Sequence, residues 1–277
     1  MNQIILDTDI GSDIDDSFAL AYLLNKEDVQ LKLISTVSAQ SSIRCKLAAM
    51  LAAVKAKPLK IISGSENDLK GCKMPQNRCE MANLAGGFQE FGSDYIEEIY
   101  NTLANEPGQI DLLAIGPLTN IAKLLMVHPD ALMLAKALTV MGTGTKGSLE
   151  WNIYNDPRAA EIVFRAKHRK LVIFPSDMTM KVFSHKSYLK DHLTGSFADL
   201  LNKMANNWFE RDHEYFHYHD PLAAVSILEP QLFDLEAKTV VYHNGTFKWS
   251  SFGQEVFFAN GCDEEAFLEE LYQVINS

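Results

Sequence analysis

Five carboxylates stand within ten residues near the amino terminus, in the segment LDTDIGSDIDD: they belong to Asp7, Asp9, Asp13, Asp15 and Asp16. Like charges at this density repel one another, and the positive end of a helix that begins near Asp15 would offset only part of that repulsion. A hard divalent cation would offset more, because Ca²⁺ and Mg²⁺ prefer carboxylate and carbonyl oxygens. The segment holds no His or Cys to favour Zn²⁺ or Cu²⁺, so we expect an alkaline-earth ion here.

Other interpretations of this acidic segment have to be weighed. Acids between a strand and a helix are commonly solvated turn or N-cap residues, which explains one Asp better than five. An EF-hand loop starting at Asp7 would need Gly where Ser12 stands and Glu where Phe18 stands, so the spacing excludes it. A metal-dependent phosphatase of the haloacid dehalogenase type, with Asp7 as nucleophile and Asp9 as acid, stays open as an alternative, although the continuation through 13–16 is foreign to that family.

Three later segments also place polar side chains where a strand or loop ends and a helix begins. The segments are LLAIGPLTNIAKLL with Asn120, SLEWNIYNDPRAAEIV with Glu150 and Asn152, and YHDPLAAV with His219 and Asp220. Each has an ordinary structural explanation when taken alone. Asp156 and Asp220 can be N-caps followed by Pro, and His219 can be a structural histidine.

The elements that must position these residues can be predicted from hydrophobic periodicity. Short β-branched runs such as QIILD, VQLKLISTV, IDLLAIG and KLVIFPSD alternate with amphipathic stretches, one of them running from about Gln40 to Lys55. This alternation predicts an α/β fold with a mostly parallel central sheet flanked by helices. Ligands of such sheets bind outside the carboxyl ends of the strands.

The second half of the chain changes in pattern. From about Met178 the periodicity is mostly helical and predicts a C-terminal helical cap over one end of the sheet. The segment TVVYHNGTFKWSSFGQEVFF alternates apolar and polar residues around Asn244-Gly245, which predicts a hairpin. No linker rich in Pro, Gly or Ser divides the chain, so we expect a single domain over 1–277.

The composition of the chain limits the kinds of partner that the protein is expected to bind. The formal net charge of −11 repels a phosphate backbone, so nucleic acid is not an expected partner. Four cysteines without a CxxC pair, and an amino terminus without the regions of a signal peptide, predict a cytoplasmic protein with reduced thiols. No apolar stretch approaches the roughly 18 residues that span a bilayer, so no membrane is expected as a partner.

Together and in this order, the four segments resemble the inosine-uridine-preferring nucleoside hydrolase family, from Ile4 to about Ala224. The resemblance implies the Rossmann-like fold of that family and a homo-dimer or homo-tetramer. It also implies a nucleoside as the small-molecule substrate, whose N-glycosidic bond is hydrolysed with Ca²⁺ to a free nucleobase and ribose. The phosphatase remains one alternative, and a nucleoside- or sugar-binding protein of the same fold without turnover is another.

The resemblance also implies roles for individual residues. The Ca²⁺ ligands would be Asp9, Asp16, Asp220 and the main-chain oxygen of Ile115, and the ion would bind the ribose hydroxyls and a water. Asp9 would deprotonate that water, while His219, with an ordinary pKa near 6.5, would protonate the departing base. Carboxylates beside the ring would stabilise the positive charge that develops at the anomeric carbon. The residues implied to bind substrate are Asp15, Gln40, Glu150, Asn152 and Asp220.

The sequence departs from the family pattern in four places. The acidic loop is two residues longer than Asp-Pro-Gly-x-Asp-Asp, and aligning its final pair at 15–16 leaves Asp13 without a role. Gln40 replaces an Asn, residues 81–92 lack the family's His-Gly loop, and the chain is somewhat short. Candidates for stacking on the base, although aromatics beside helices more often belong to the core, are Trp151, Tyr154, Trp208, Phe216 and Tyr218.

Overall fold

The structure is a computed structural model that describes residues 1–74, 78–86, 90–144, 150–211, 213–243 and 245–277. Within these ranges the strands are β1 (Asn2–Thr8), β2 (Val29–Thr36), β3 (Ile61–Ser63), β4 (Ile110–Ala114), β5 (Ala137–Met141), β6 (Leu171–Phe174), β7 (Phe183–His185), β8 (Tyr215–His217), β9 (Phe233–His243), β10 (Thr246–Trp249) and β11 (Gln254–Cys262). The helices are α1 (Asp15–Asn25), α2 (Ser41–Val54), α3 (Tyr95–Asn105), α4 (Thr119–Val127), α5 (Ala131–Leu134), α6 (Trp151–Asn155), α7 (Pro157–Arg165), α8 (Ser176–Thr179), α9 (Lys186–His192), α10 (Ala198–Phe209), α11 (His219–Leu228) and α12 (Glu264–Asn276).

The main sheet has the strand order β10-β9-β11-β6-β5-β4-β1-β2-β3. The pairs from β11 and β6 across to β2 and β3 are parallel, whereas β9 runs antiparallel to both β10 and β11. The prediction of a mostly parallel α/β sheet is therefore confirmed. Strands such as β4 are buried along their whole length, because helices cover both faces of the sheet.

Two hydrophobic cores lie on opposite faces of this sheet. One joins the sheet to α1, α2, α11 and α12 through residues such as Phe18, Leu51, Leu222 and Phe267. The other joins it to α3, α4 and α7. No helix in the described part of the chain is both long and apolar enough to cross a bilayer.

The predicted hairpin is formed by β9 and β10, in which Thr246 pairs with His243. Gly245 has φ +81°, a left-handed conformation that glycine adopts without strain, while Asn244 of the predicted turn lies outside the described residues. The hairpin does not stand apart from the sheet. Strand β11 returns beside β6, so β9 and β10 extend the sheet by an antiparallel edge.

The helical cap after Met178 is confirmed but contains a two-stranded sheet that periodicity did not predict. Helix α10 ends at Phe209, and β8 then pairs with β7 within the region whose periodicity predicts helices. Phe216 is buried between the exposed Tyr215 and the half-buried His217, which is the alternation of a strand. Strand β8 leads directly into α11 and so delivers the first turn of that helix to the sheet.

Candidate active site

A cavity of about 450 Å³ opens where β1, β4 and β5 end. Its position agrees with the rule that ligands of parallel sheets bind at the carboxyl ends of the strands. The predicted site residues that line it are Asp9, Asp15, Asp16, Ile115, Glu150, Asn152, His219 and Asp220. Asp13, which the sequence left without a role, lines the same cavity.

The acidic loop joins β1 to α1. Helix α1 begins at Asp15, as predicted, so Asp15 and Asp16 lie in its first turn, at the positive end of the helix dipole. The Asp15 N–H donates to Oδ1 of Asp13 at 3.1 Å. The Thr8 hydroxyl donates a hydrogen bond to the Asp16 carboxylate. The Ser12 hydroxyl lies 3.0 Å from Oδ2 of Asp9 and donates to it. Both carboxylates are thus held by neighbours at the end of β1.

Both oxygens of the Asp15 carboxylate accept backbone N–H groups. Oδ1 accepts from Asp16 at 3.1 Å, and Oδ2 accepts from Asp220 at 3.1 Å. The second bond joins the start of α1 to the start of α11. Asp15 therefore fixes the relative position of two helices that carry acidic residues, in addition to lining the cavity.

Burial is the largest cause that raises the pKa values of Asp15, Asp16 and Asp220 well above their ordinary range, and neighbouring carboxylates raise them further. In the described part of the chain, the acids whose oxygens come within 4.8 Å of one another are Asp13, Asp15 and Asp16. The predicted ligands Asp9, Asp16 and Asp220 share the cavity with them without forming that tightest group. Carboxylates at this density fit a hard cation by their donor chemistry.

Arg44 of α2 is a buried residue of the site that sequence reasoning missed. Its guanidinium donates to the main-chain oxygen of Asp9, to that of Ile10 at 3.1 Å and to the Ser12 hydroxyl at 3.0 Å. Its Nε donates to the main-chain oxygen of Ala39 at 2.9 Å. Arg44 is 0% exposed and brings a positive charge against the lengthened acidic loop. A single Arg within a helical pattern carries no sequence signal for this role.

Arg44→Met is expected to lower the free energy of unfolding by about 3 kcal/mol, because it removes several hydrogen bonds of a buried charged group, at about 1.5–3 kcal/mol each. Urea denaturation measures the change. Arg165→Met is the matched control, since its partner Glu161 lies one helical turn away on an exposed surface and such pairs contribute about 0.3–0.5 kcal/mol. An equal, small loss in both variants would contradict the role given to Arg44.

Asp7 lies beneath the cavity floor rather than in it. It is 0% exposed and accepts hydrogen bonds from Ser35 Oγ at 2.5 Å and Asn120 Nδ2 at 2.7 Å. Burial raises the pKa of Asp7 to about 7. A carboxylate enclosed in this way offers a phosphate ester no approach, which argues against the phosphatase in which Asp7 is the nucleophile.

Glu150 is the N-cap of α6, a short helix that the sequence analysis did not predict. Its carboxylate accepts the N–H groups of Asn152 at 2.8 Å, Ile153 at 3.1 Å and Thr143 at 3.2 Å. Burial nevertheless raises the pKa of Glu150 to about 7, and the Asp9 carboxylate adds to the rise. The following helix α7 begins at Pro157 with Asp156 as N-cap, as predicted.

The Asn152 side chain joins the ends of β4 and β5. Its Nδ2 donates to the main-chain oxygen of Ile115 at 3.0 Å and to that of Met141 at 3.2 Å. A carbonyl oxygen has two lone pairs, so the Ile115 oxygen keeps one for a further partner. This is the oxygen that the sequence predicts as a metal ligand.

His219 is the first residue of α11. Its Nδ1 lies 2.6 Å from Thr179 Oγ1, and its ring centroid lies 5.4 Å from that of His217. Burial lowers the pKa of His219 to about 4, while the Asp13 carboxylate acts in the opposite direction. Burial therefore favours the neutral ring, and the neighbouring negative charge of Asp13 favours its protonation.

Gln40 is the predicted substrate-binding residue that the structure does not place on the cavity, as far as the described lining residues show. It precedes α2 in a left-handed conformation, with φ +63°, and its Oε1 accepts the Cys79 N–H at 3.2 Å. The side chain is thus directed to a neighbouring loop. The predicted contact between Gln40 and ribose stays a prediction, and the position of the side chain does not support it.

The five aromatic candidates divide between the cavity and other surroundings. Trp151 and Trp208 line the cavity, and Trp208 stacks on His213 with centroids 3.6 Å apart. Phe216 and Tyr218 are buried in the core, which makes the stacking prediction wrong for both. Tyr154 is exposed and does not line the cavity within the described residues.

Comparison with known proteins agrees with this geometry. The family model described as inosine-uridine preferring nucleoside hydrolase matches residues 4–269. The chain is similar to the non-specific ribonucleoside hydrolase RihC of Salmonella newport, with 29% identity over 259 residues that cover 84% of this chain and 81% of that relative. RihC of Salmonella enteritidis is equally similar, at 29% identity over the same length.

Solved structures show the same fold at lower sequence identity. The plant nucleoside hydrolase PpNRh1 superposes with a TM-score of 0.88 at 18% identity, covering 100% of this chain and 99% of that one. The purine-preferring ribonucleoside hydrolase from Gardnerella vaginalis gives 0.83 at 19% identity, covering 99% and 98%. Because the family model spans nearly the whole chain, this protein belongs to the inosine-uridine preferring nucleoside hydrolase family, a family of nucleoside N-glycosyl hydrolases.

Proposed function

We propose that this protein hydrolyses the N-glycosidic bond of ribonucleosides to a free nucleobase and ribose, with Ca²⁺ held in the acidic cavity. One observation carries the proposal: a single cavity is lined by Asp9, Asp16, Asp220, Ile115 and His219, which come from three separate parts of the sequence. A cation, a sugar and a proton donor can meet there. A binding protein without turnover would not need the histidine beside the acids.

The proposed ligands of Ca²⁺ are the carboxylates of Asp9, Asp16 and Asp220 and the main-chain oxygen of Ile115. All are oxygen donors, as this ion prefers, and Asp13 lies near enough to Asp16 to join them. When bound, the ion supplies positive charge against the carboxylates and orients water and sugar hydroxyls. Asp15 and Asn152 line the same cavity and are the proposed contacts to the ribose.

Asp9 is the proposed general base, which takes a proton from the attacking water. Ser12 holds its Oδ2 at 3.0 Å, and the bonds of Arg44 to the loop backbone fix the position of its main chain. Breaking the bond to the base leaves positive charge on the anomeric carbon and ring oxygen. The buried carboxylates, including Glu150, stabilise that charge most strongly because water is excluded around them.

His219 is the proposed general acid. His219 lines the cavity, and no Lys is among the described residues that line it. Protonation of the leaving base by this ring is worth about 10²- to 10⁴-fold in rate. Trp151 and Trp208 supply flat apolar surface on which the base can stack. The proton donor and the stacking surface are thus provided by the same cavity.

The test of this function is product release from purified protein in the presence of Ca²⁺. A panel of purine and pyrimidine ribonucleosides is assayed for free base, beside p-nitrophenyl phosphate assayed for phosphate. Base release without phosphate release supports the hydrolase. Calorimetric binding of ribose without turnover of any nucleoside would instead support the binding protein.

Calcium is expected to raise the melting temperature of the protein after treatment with a chelator. A ligand at about 100 times its dissociation constant adds about 2.7 kcal/mol, which corresponds to a rise of about 5 °C or more for a chain of this size. Differential scanning calorimetry measures it. Asp16→Asn should lose most of the rise, whereas the control Asp199→Asn, in the first turn of α10, should keep it. A rise that is unchanged in Asp16→Asn would contradict the assigned ligand.

A single domain over 1–277 and a location in the cytoplasm are further proposals, as is the assembly into dimers or tetramers that the resemblance to the family implies. Light scattering coupled to size-exclusion chromatography tests the last of these. A monomer of 31.0 kDa at all concentrations would refute it.

A further inference from the structure

A buried threonine lies against the histidine of the cavity. Thr179, at the end of the short helix α8, is 0% exposed, and its Oγ1 lies 2.6 Å from Nδ1 of His219. Thr179 does not line the cavity within the described residues, although Ser176 of the same helix does. The hydroxyl therefore contacts the imidazole from a residue outside the described lining of the cavity.

One polarity of this contact makes both polar contacts of the hydroxyl into hydrogen bonds. A hydroxyl has one proton to donate, and the main-chain oxygen of Ser176, at 3.3 Å, can only accept it. With that proton directed to Ser176, Oγ1 accepts a hydrogen bond from His219, so Nδ1 carries a hydrogen. In the neutral ring the single N–H is then on Nδ1, and Nε2 carries no hydrogen.

The neighbouring histidine cannot take over this role. The rings of His217 and His219 lie nearly parallel, with 25° between their planes, and the centroids are 5.4 Å apart. Nδ1 of His217 is already 3.1 Å from the main-chain oxygen of Met180. The ring of His217 thus lies beside that of His219, whereas the hydrogen bond from Nδ1–H of His219 to Oγ1 of Thr179 holds the rotation of the His219 ring.

We propose that Thr179 is a positioning residue for His219: it fixes the ring so that Nδ1–H faces the hydroxyl and Nε2 faces the leaving base. The inference rests on the proposed function. In the proposed step the Nε2–H bond of the protonated ring breaks and an N–H bond forms on the base, which keeps the electron pair of the broken C–N bond. The ring returns to its neutral form with Nδ1–H unchanged, which is the form that Thr179 binds.

The test compares two substitutions on two substrates. Thr179→Val removes the hydroxyl and keeps the shape, whereas Thr179→Ser keeps the hydroxyl. Inosine has a leaving base that needs a proton, while p-nitrophenyl riboside has a leaving group that departs as an anion. For Thr179→Val we expect kcat on inosine to fall by about 10- to 100-fold, within the range of general-acid catalysis, with KM changed less than about threefold. The rate on p-nitrophenyl riboside should stay within about twofold, and Thr179→Ser should recover most of the loss.

Equal losses on both substrates would show a merely structural role and overturn the proposal, as would an unchanged rate on inosine. A second readout does not depend on activity. Imidazole ¹⁵N spectra, with His219 assigned by its loss in His219→Gln, should show Nδ1 protonated in the neutral ring and a mixture of tautomers in Thr179→Val. A ring protonated at Nε2 in the parent protein would overturn the inference. An inactive protein with the expected spectrum would refute the proposed function while keeping the hydrogen bond.

Discussion

Asp9→Ala is expected to lower kcat for ribonucleosides by about 10⁴-fold or more. The substitution removes the proposed base, and general-base catalysis alone is worth about 10²- to 10⁴-fold. It also removes one of the carboxylates proposed to hold the cation and to stabilise the positive charge on the sugar. The two losses affect the same step, so the effect should exceed that of any other single change in the cavity.

Two variants make this result interpretable. Asp9→Asn keeps the size of the side chain and the bond to the Ser12 hydroxyl, so its loss reports the missing charge and base rather than a cavity. Asp199→Ala removes an acid in the first turn of α10 and should leave kcat unchanged. The measurement is release of base at saturating nucleoside with Ca²⁺ present. Near-normal turnover in either Asp9 variant would show that the base has been misassigned.

His219→Ala is expected to slow turnover to an extent that depends on the leaving group of the substrate. The rate on inosine or uridine should fall by about 10²- to 10⁴-fold, because the base must then depart without a proton from the protein. The rate on p-nitrophenyl riboside should hardly change, because nitrophenolate needs none. Steady-state kinetics on the two substrates measure the difference.

His192→Ala, on the exposed surface of α9, is the matched control and should behave as the parent protein on both substrates. Adding Thr179→Val to His219→Ala should cause little further loss, since the threonine is proposed to act only through that ring. A uniform loss on inosine and p-nitrophenyl riboside in His219→Ala would remove the histidine from proton transfer.

The parallel part of the sheet could be predicted to within a few residues. Strands β4 to β6 are mostly apolar and buried along their whole length because both faces are covered, and such runs stand out between helical patterns. Short elements could not be predicted in the same way. Strands β7 and β8 have three residues each, and α6 has five, so none contains enough residues to show a period.

Some residues of the candidate site could be predicted from local sequence patterns, whereas others could not. Asp9, Asp16 and Asp220 follow strands or begin helices, and this local pattern is enough to predict that they lie at one edge of the sheet. Arg44 was missed because its partners in the acidic loop stand 32 to 35 residues earlier in the chain, and only tertiary packing brings them together. For Gln40, the contact with ribose is implied only by the resemblance to the family. Its left-handed backbone turns the side chain towards Cys79, and a sequence pattern does not report that rotation.

The most direct test of the central claim is a crystal structure of the protein grown with Ca²⁺ and ribose. We expect one ion bound by the carboxylates of Asp9, Asp16 and Asp220 and by the main-chain oxygen of Ile115, with the sugar hydroxyls on the same ion. Ribose bound elsewhere, or carboxylates with no ion between them at millimolar calcium, would contradict it.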